Sequence, residues 1–237
     1  MCIEILAQKH IFQPEIGANV YIDRSYFFED KSTNFSIKGK PSGSFHFGMN
    51  YSYSFHSIFN CNVGLFSSFV PYSHILQYSI NDDSGESITM RTKSRFFVDG
   101  INLKIPIGLS AEIPIKVNHV FQLGVYYVNQ FYPLHGTNLV ESLWHRYDNG
   151  SEVGVYRFER SRSQIYQGFA KIKLGYGYRL KNKNYVHFYL AFEPEIIKDR
   201  VQQKFVIWPE TTTERKFSIP SQTNLNIQIG LGYTFIK

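Results

Sequence analysis

The 237-residue chain has only two cysteines, Cys2 and Cys61, and two tryptophans. Two thiols cannot staple a small secreted scaffold, and a chain this long can bury a core without them. Charge is also scarce, at 19% of residues against about 25% in ordinary soluble domains. The net charge of +6 forms no basic stripe. Arg157, Arg160 and Arg162 come nearest to one, but Glu152 and Glu159 interleave with them, which argues against nucleic-acid binding. Long apolar runs are missing too: no stretch approaches the ~18–20 residues of a membrane-spanning helix. What the chain has in excess is aromatic rings, 21 Phe and 17 Tyr, which argues against disorder. Hydrophobic residues reach 43%, yet the mean hydropathy is −0.24. Apolar side chains scattered this evenly suggest many half-buried strands.

Strict alternation supports that reading. In 224–237, Leu225, Ile227, Ile229, Leu231, Tyr233 and Phe235 occupy every second position, with Asn226, Gln228, Gly230, Gly232 and Thr234 between them. Successive strand side chains point to opposite faces, so this segment has one apolar and one polar face; a helix cannot produce the pattern. The same split recurs in 15–25, 44–55, 59–69, 101–113, 121–131, 166–180 and 186–196, which makes eight strands. The connections alternate in length. Long ones cover about 26–41, 73–95, 134–163 and 198–221; short ones cover 56–58, 114–119 and 181–184. An even-numbered antiparallel meander with tight turns at one end and long loops at the other is the plan of an outer-membrane β-barrel.

The chief competitor is a soluble calycin-type barrel, with its apolar face turned inward around a lipid. The glycines separate the two plans. Gly17, Gly48, Gly64, Gly108, Gly124, Gly175, Gly177, Gly230 and Gly232 all fall on the polar face. A narrow eight-stranded lumen crowded with side chains needs such small positions, whereas a solvated outer face would carry more Lys and Glu. The expected fold is therefore an eight-stranded up-and-down transmembrane barrel with its polar face inside. Aromatics near the strand ends, among them Tyr51, Tyr53, Tyr176 and Tyr178, would form the girdle at the tight-turn end. Residues 10–237 form the single domain. Residues 1–9 read either as the remnant of a secretory signal peptide or as a short N-terminal extension. Cys2 is not preceded by a lipoprotein-type sequence, so no lipid anchor is assigned.

The inward charges then stand out. Lys104, Glu112, Lys171, Lys173, His187, Glu193 and Glu195 all lie on the polar face, and Glu15, Asp23 and His46 could extend the set. Because 166–180 and 186–196 are joined by a tight turn, Lys171 and Lys173 are expected opposite Glu193 and Glu195. Buried charges must be paired, so the simplest role is a plug that holds the barrel closed; an ion path or a catalytic dyad is the sharper alternative.

The segment 101–113, INLKIPIGLSAEI, with apolar alternation running through Ile105-Pro106, resembles the central strand of the PorT-like outer-membrane β-barrel family of Gram-negative bacteria. Gln228, Gly230, Tyr233 and Phe235 look like the C-terminal assembly signal of such barrels. The resemblance implies an outer-membrane location, insertion by the barrel-assembly machinery, outer-membrane lipid as surroundings and no cofactor. Some family members serve type IX secretion and gliding motility.

Three functional classes follow. In the first, the long loops bind an envelope or secretion-complex partner, with Trp144, His145, Arg146, Tyr147, Phe205 and Trp208 as candidate contacts. The second is an outer-membrane enzyme of acyltransferase, lipase or protease type; His145 with Glu141 or Asp148 is the nearest approach to a catalytic pair, and no nucleophile or oxyanion-hole motif accompanies it. The third is a small pore, disfavoured because eight strands leave an interior that side chains can fill. The expectation is a non-enzymatic interaction protein.

Overall fold

The computed structural model describes residues 9–22, 27–30, 35–39, 41–69, 72–81, 87–96, 101–131, 138–146, 150, 152–162, 166–180, 184–197, 201–207, 215–219 and 225–236. In chain order its strands are β1 (Lys9–Tyr21), β2 (Phe27–Asp30), β3 (Phe35–Gly39), β4 (Ser42–Ser54), β5 (Phe59–Phe69), β6 (Tyr72–Asn81), β7 (Ser87–Phe96) and β8 (Ile101–Lys116). They continue as β9 (His119–Phe131), β10 (Asn138–Arg146), β11 (Glu152–Arg162), β12 (Tyr166–Arg179), β13 (Tyr185–Ile197), β14 (Val201–Ile207), β15 (Arg215–Ile219) and β16 (Leu225–Ile236). Eight of them close into an antiparallel barrel in the order β1-β4-β5-β8-β9-β12-β13-β16, with β16 returning to β1.

Alternation fixes which face meets which medium. Ile16, Phe45, Leu65, Leu109, Val125 and Leu231 point outward and are exposed, Phe45 to 70% and Ile16 to 63%. Glu15, Asn19, His46, Asn50, Lys104 and Gln122 point inward and are buried. An exposed apolar belt around a buried polar interior inverts a water-soluble protein and suits a barrel solvated by lipid. Rings gather at the tight-turn end: Tyr233 and Phe235 meet edge to face at 4.5 Å, and Phe12 lies 5.3 Å from Tyr51. This is the periplasmic girdle of an integral outer-membrane barrel.

Three expectations about the chain's course need correction. The first strand begins at Lys9 rather than at residue 15; Pro14 sits outward on it, its missing N–H costing one donor of the ladder. The connection expected over 114–119 is shorter, because β8 runs on to Lys116 and the turn is only Val117 and Asn118. The long connections are not irregular loops. They hold four β-hairpins, β2–β3, β6–β7, β10–β11 and β14–β15. The hairpins join in pairs through β3–β6 and β11–β14, giving two four-stranded sheets, β2-β3-β6-β7 and β10-β11-β14-β15. These segments escaped a strand reading because their apolar positions are diluted by charge, as in Arg91, Lys93 and Arg95 on β7 or Arg157 and Glu159 on β11.

Pro106 is paired with Val128 on β9 and points into the lumen. On its other side the β5–β8 register runs to Val63↔Ile107 and resumes at Phe66↔Lys104. The interruption is what a residue without an N–H imposes on a ladder.

The lipid-facing assignment makes a direct prediction. Leu231 lies near the middle of β16 and is 53% exposed. Leu231→Lys should destabilise the barrel by about 2–4 kcal/mol in a bilayer, measured by urea titration of protein folded into lipid vesicles. The inward neighbour change Gln228→Leu should leave the lipid term untouched and act only through the lumen.

Candidate functional site

The lumen collects the chemistry of the described residues, and it is built in tiers. At the periplasmic end the Tyr185 hydroxyl donates to Glu112 and accepts from Gln122 (2.6 Å) and Gln13 (3.1 Å). Gln122 also reaches Glu112 at 3.2 Å, and Gln13 reaches the Thr234 hydroxyl at 3.3 Å. One tier further in, the Lys173 ammonium pairs with Glu15, whose carboxylate also accepts from Asn50 at 2.9 Å and lies 3.5 Å from His187 Nε2. The same ammonium sits 4.2 Å from the centre of the Tyr189 ring. Toward the hairpin end, Glu193 receives Lys104 at 2.6 Å, Lys171 at 3.2 Å and Asn226 at 2.7 Å. Lys171 also donates to Gln228 at 2.8 Å. Beyond that, Gln167 donates to Glu195 at 2.9 Å.

This arrangement corrects the expected pairing. Lys171 does meet Glu193, its neighbour across the β12–β13 ladder. Lys173, however, lies opposite Ala191 and reaches across the lumen to β1 instead. Glu195 lies opposite Phe169, beside a register shift at Gly168/Phe169, and binds Gln167. Tight-turn connectivity predicts neighbours along one ladder. A long Lys side chain in a narrow tube can instead bond to a strand several places round the wall. Asp23, another expected member, lies outside the described residues.

The cations Lys104, Lys171 and Lys173 face the carboxylates Glu15, Glu112, Glu193 and Glu195, so the lumen is close to neutral. All three lysines and Glu15 and Glu193 are buried, Glu193 to 1% exposure. Charges this deep are tolerable only when paired and hydrogen-bonded. His46 bonds the Tyr189 hydroxyl at 2.5 Å, and His187 lies 3.3 Å from the Thr234 hydroxyl. A cavity of about 10 Å³ remains among His46, Phe66, Lys104, Pro106, Lys171, Glu193 and Gln228, room for roughly one water molecule. At this level the tube is filled.

Glycines make the filling fit. A Cβ on Gly230 would run into the Tyr189 ring, and one on Gly232 into the His187 ring and the Glu15 side chain. The residues named above as an assembly signal therefore divide by face. Gln228 and Gly230 serve the lumen, whereas Tyr233 and Phe235 belong to the outer girdle. Sequence reasoning missed Asn50, Tyr185, Gln13, Gln167 and Asn226 as members of the network. Their signal was present, since each stands at an inward position of its strand, but they carry no charge to draw attention.

The described candidate contacts of the long connections lie on one sheet, β10-β11-β14-β15. Trp144, His145 and Arg146 lie on β10, and Phe205 lies on β14 opposite Phe158 and Phe217. Tyr147, Asp148 and Trp208 lie outside the described residues. Glu141 and His145 sit four positions apart on one extended strand, hence about 13 Å along it, so the strand does not bring them together as an acid–base pair.

No protein-family model matches the chain, and none of the curated proteins matches it. Among solved structures it is similar to the outer membrane protein OprG from Pseudomonas aeruginosa, at 12% identity, 95% coverage of each chain and a TM-score of 0.44. It is also similar to the outer membrane protease OmpT from Escherichia coli, at 9% identity, covering 97% of this chain and 96% of that one, with a TM-score of 0.45. Likeness at this level carries no information on activity, and the fold stands on this chain's own strand pairing.

The plug makes a second prediction. Glu193→Gln or Lys173→Met leaves a buried partner uncompensated and should cost about 3–5 kcal/mol. The paired change Lys173→Met with Glu15→Leu should recover most of the loss. Both are read as the denaturant midpoint of the heat-modifiable band on gels.

Proposed function

We propose that this chain is a non-conducting, non-catalytic outer-membrane barrel of the PorT-like kind, whose extracellular hairpins bind another envelope component. The barrel is the anchor and the hairpins are the working surface. The observation that carries this reading is the contrast between the two ends of the same tube. The lumen is packed with paired charges, while the hairpins above it are knit into two sheets by β3–β6 and β11–β14. Ordering four hairpins into sheets has a large conformational cost, which a closed barrel does not need for its own stability. A pre-ordered surface lowers the cost of capturing a partner. Candidate partners are a secretion-complex protein, another envelope protein or a surface polysaccharide. During insertion the barrel-assembly machinery would read the C-terminal girdle residues Tyr233 and Phe235.

Shortening the β10–β11 or the β14–β15 hairpin should abolish partner capture, assayed by crosslinking and pull-down from native outer membranes. Heat-modifiability should persist, because the barrel strands are untouched. Undiminished capture by both shortened chains would remove the hairpins from the proposal. In planar bilayers the intact protein should show no unitary conductance steps; discrete openings would contradict a plugged lumen.

A further inference from the structure

The two sheets at the hairpin end have four outer strands, and these differ in length. β2 has 4 residues and β15 has 5, whereas β7 has 10 and β10 has 9. Shortness is one way a protein keeps a sheet edge from pairing with other chains. β7 lacks that protection. It pairs with β6 along its whole length, from Tyr72↔Phe96 to Asn81↔Ser87, and with no second strand among the described residues. Every second residue of such a strand turns its backbone N–H and C=O away from the ladder it belongs to. The outer edge of β7 is therefore an unbroken row of backbone donors and acceptors.

The residue types on β7 select what can use that row. Arg91, Lys93 and Arg95 occupy alternate positions, hence one face, and neither β7 nor β6 contains an Asp or Glu. Across the ladder they stand opposite Gln77, Ile75 and Ser73. Arg91, its register partner Gln77 and the same-face Thr89 are exposed. Cations on an edge guard it against wrong pairing. A second β7 brought alongside would set like charges against each other, whereas a strand with carboxylates at alternate positions would set opposite ones.

We infer that the outer edge of β7 receives an extended acidic segment of a partner protein, which adds a fifth strand to the β2-β3-β6-β7 sheet. Backbone hydrogen bonds supply the affinity, and carboxylates beside Arg91, Lys93 and Arg95 supply the choice of partner. An anionic polysaccharide would use the cations and leave the backbone row idle. The division of the hairpins into two sheets fits this use. β7 and β10 adjoin the paired strands β8 and β9 yet share no ladder, so among the described residues the wall is not hydrogen-bonded between the sheets at that place. The inference rests on the reading of the hairpins as the working surface and specifies how one of them works.

The probe is a labelled synthetic peptide as long as β7, alternating Glu with Thr, titrated by fluorescence anisotropy onto the intact protein folded in phosphatidylcholine nanodiscs. It should bind, and the β7 amides should gain protection from hydrogen exchange. Methylating one alternate set of peptide nitrogens, the set facing β7, should abolish binding while keeping the charge; methylating the other set should not. Lys in place of Glu should also abolish it. Arg91→Gln/Lys93→Gln/Arg95→Gln should weaken binding roughly tenfold, whereas Lys38→Gln on the inner strand β3 should leave it unchanged. Heat-modifiability establishes that each variant folded; if the triple variant does not fold, Arg91→Gln replaces it, with a loss of roughly twofold. Absence of peptide binding, undiminished binding by the cation variant, or equal binding of both methylated peptides would overturn the inference. The peptide assay does not need the native partner. Peptide bound with no partner captured from native membranes would remove the wider reading and keep the edge; partner captured with the peptide unbound would do the reverse.

Discussion

A charge inside a membrane must find a partner, and in this protein the partners are distributed round the wall of the tube. The Lys173–Glu15 pair joins β12 to β1, and the Glu193 carboxylate gathers Lys104 from β8 and Lys171 from β12. Lys173–Glu15 and Lys104–Glu193 link strands that share no ladder, so the backbone hydrogen bonds close the circumference and these ion pairs brace its diameter. Glycine at the wall, aromatic rings in the interior and a near-neutral sum of charges all follow from that bracing. Gly230 and Gly232 are bare because Tyr189 and His187 occupy their space.

The barrel itself was legible because a strand between lipid and a polar lumen must alternate without error. Leu225, Ile227, Ile229, Leu231, Tyr233 and Phe235 announce both the strand and its outer face. The inward charges were equally visible, but their partners were not. Pairing Lys171 with Glu193 needs only the neighbouring ladder. Pairing Lys173 with Glu15 requires the curvature of a closed tube, which no local pattern encodes. The hairpins were missed for a different reason. β7 and β11 lie outside the closed ring of strands, and Arg91, Lys93 and Arg95 read as a polar connection.

The two ends of the molecule obey different rules. At the hairpin end, eight strands split into two sheets of four; β7 and β10, which flank the β8–β9 pair, are each an outer strand of a different sheet. At the turn end the connections are as short as Val117 and Asn118. The overall composition conceals the division between faces. A mean hydropathy near zero averages a lipid belt with a hydrophilic lumen.

The Lys173–Glu15 contact spans 158 positions of sequence. Glu15 precedes Lys173 in the chain and has no access to this cation until β12 is in place. Until the ring closes, the Glu15 carboxylate lacks the cation that meets it in the lumen. The pair forms only when the first strand and the last third of the chain meet, so it belongs to the closed circle and not to any one ladder.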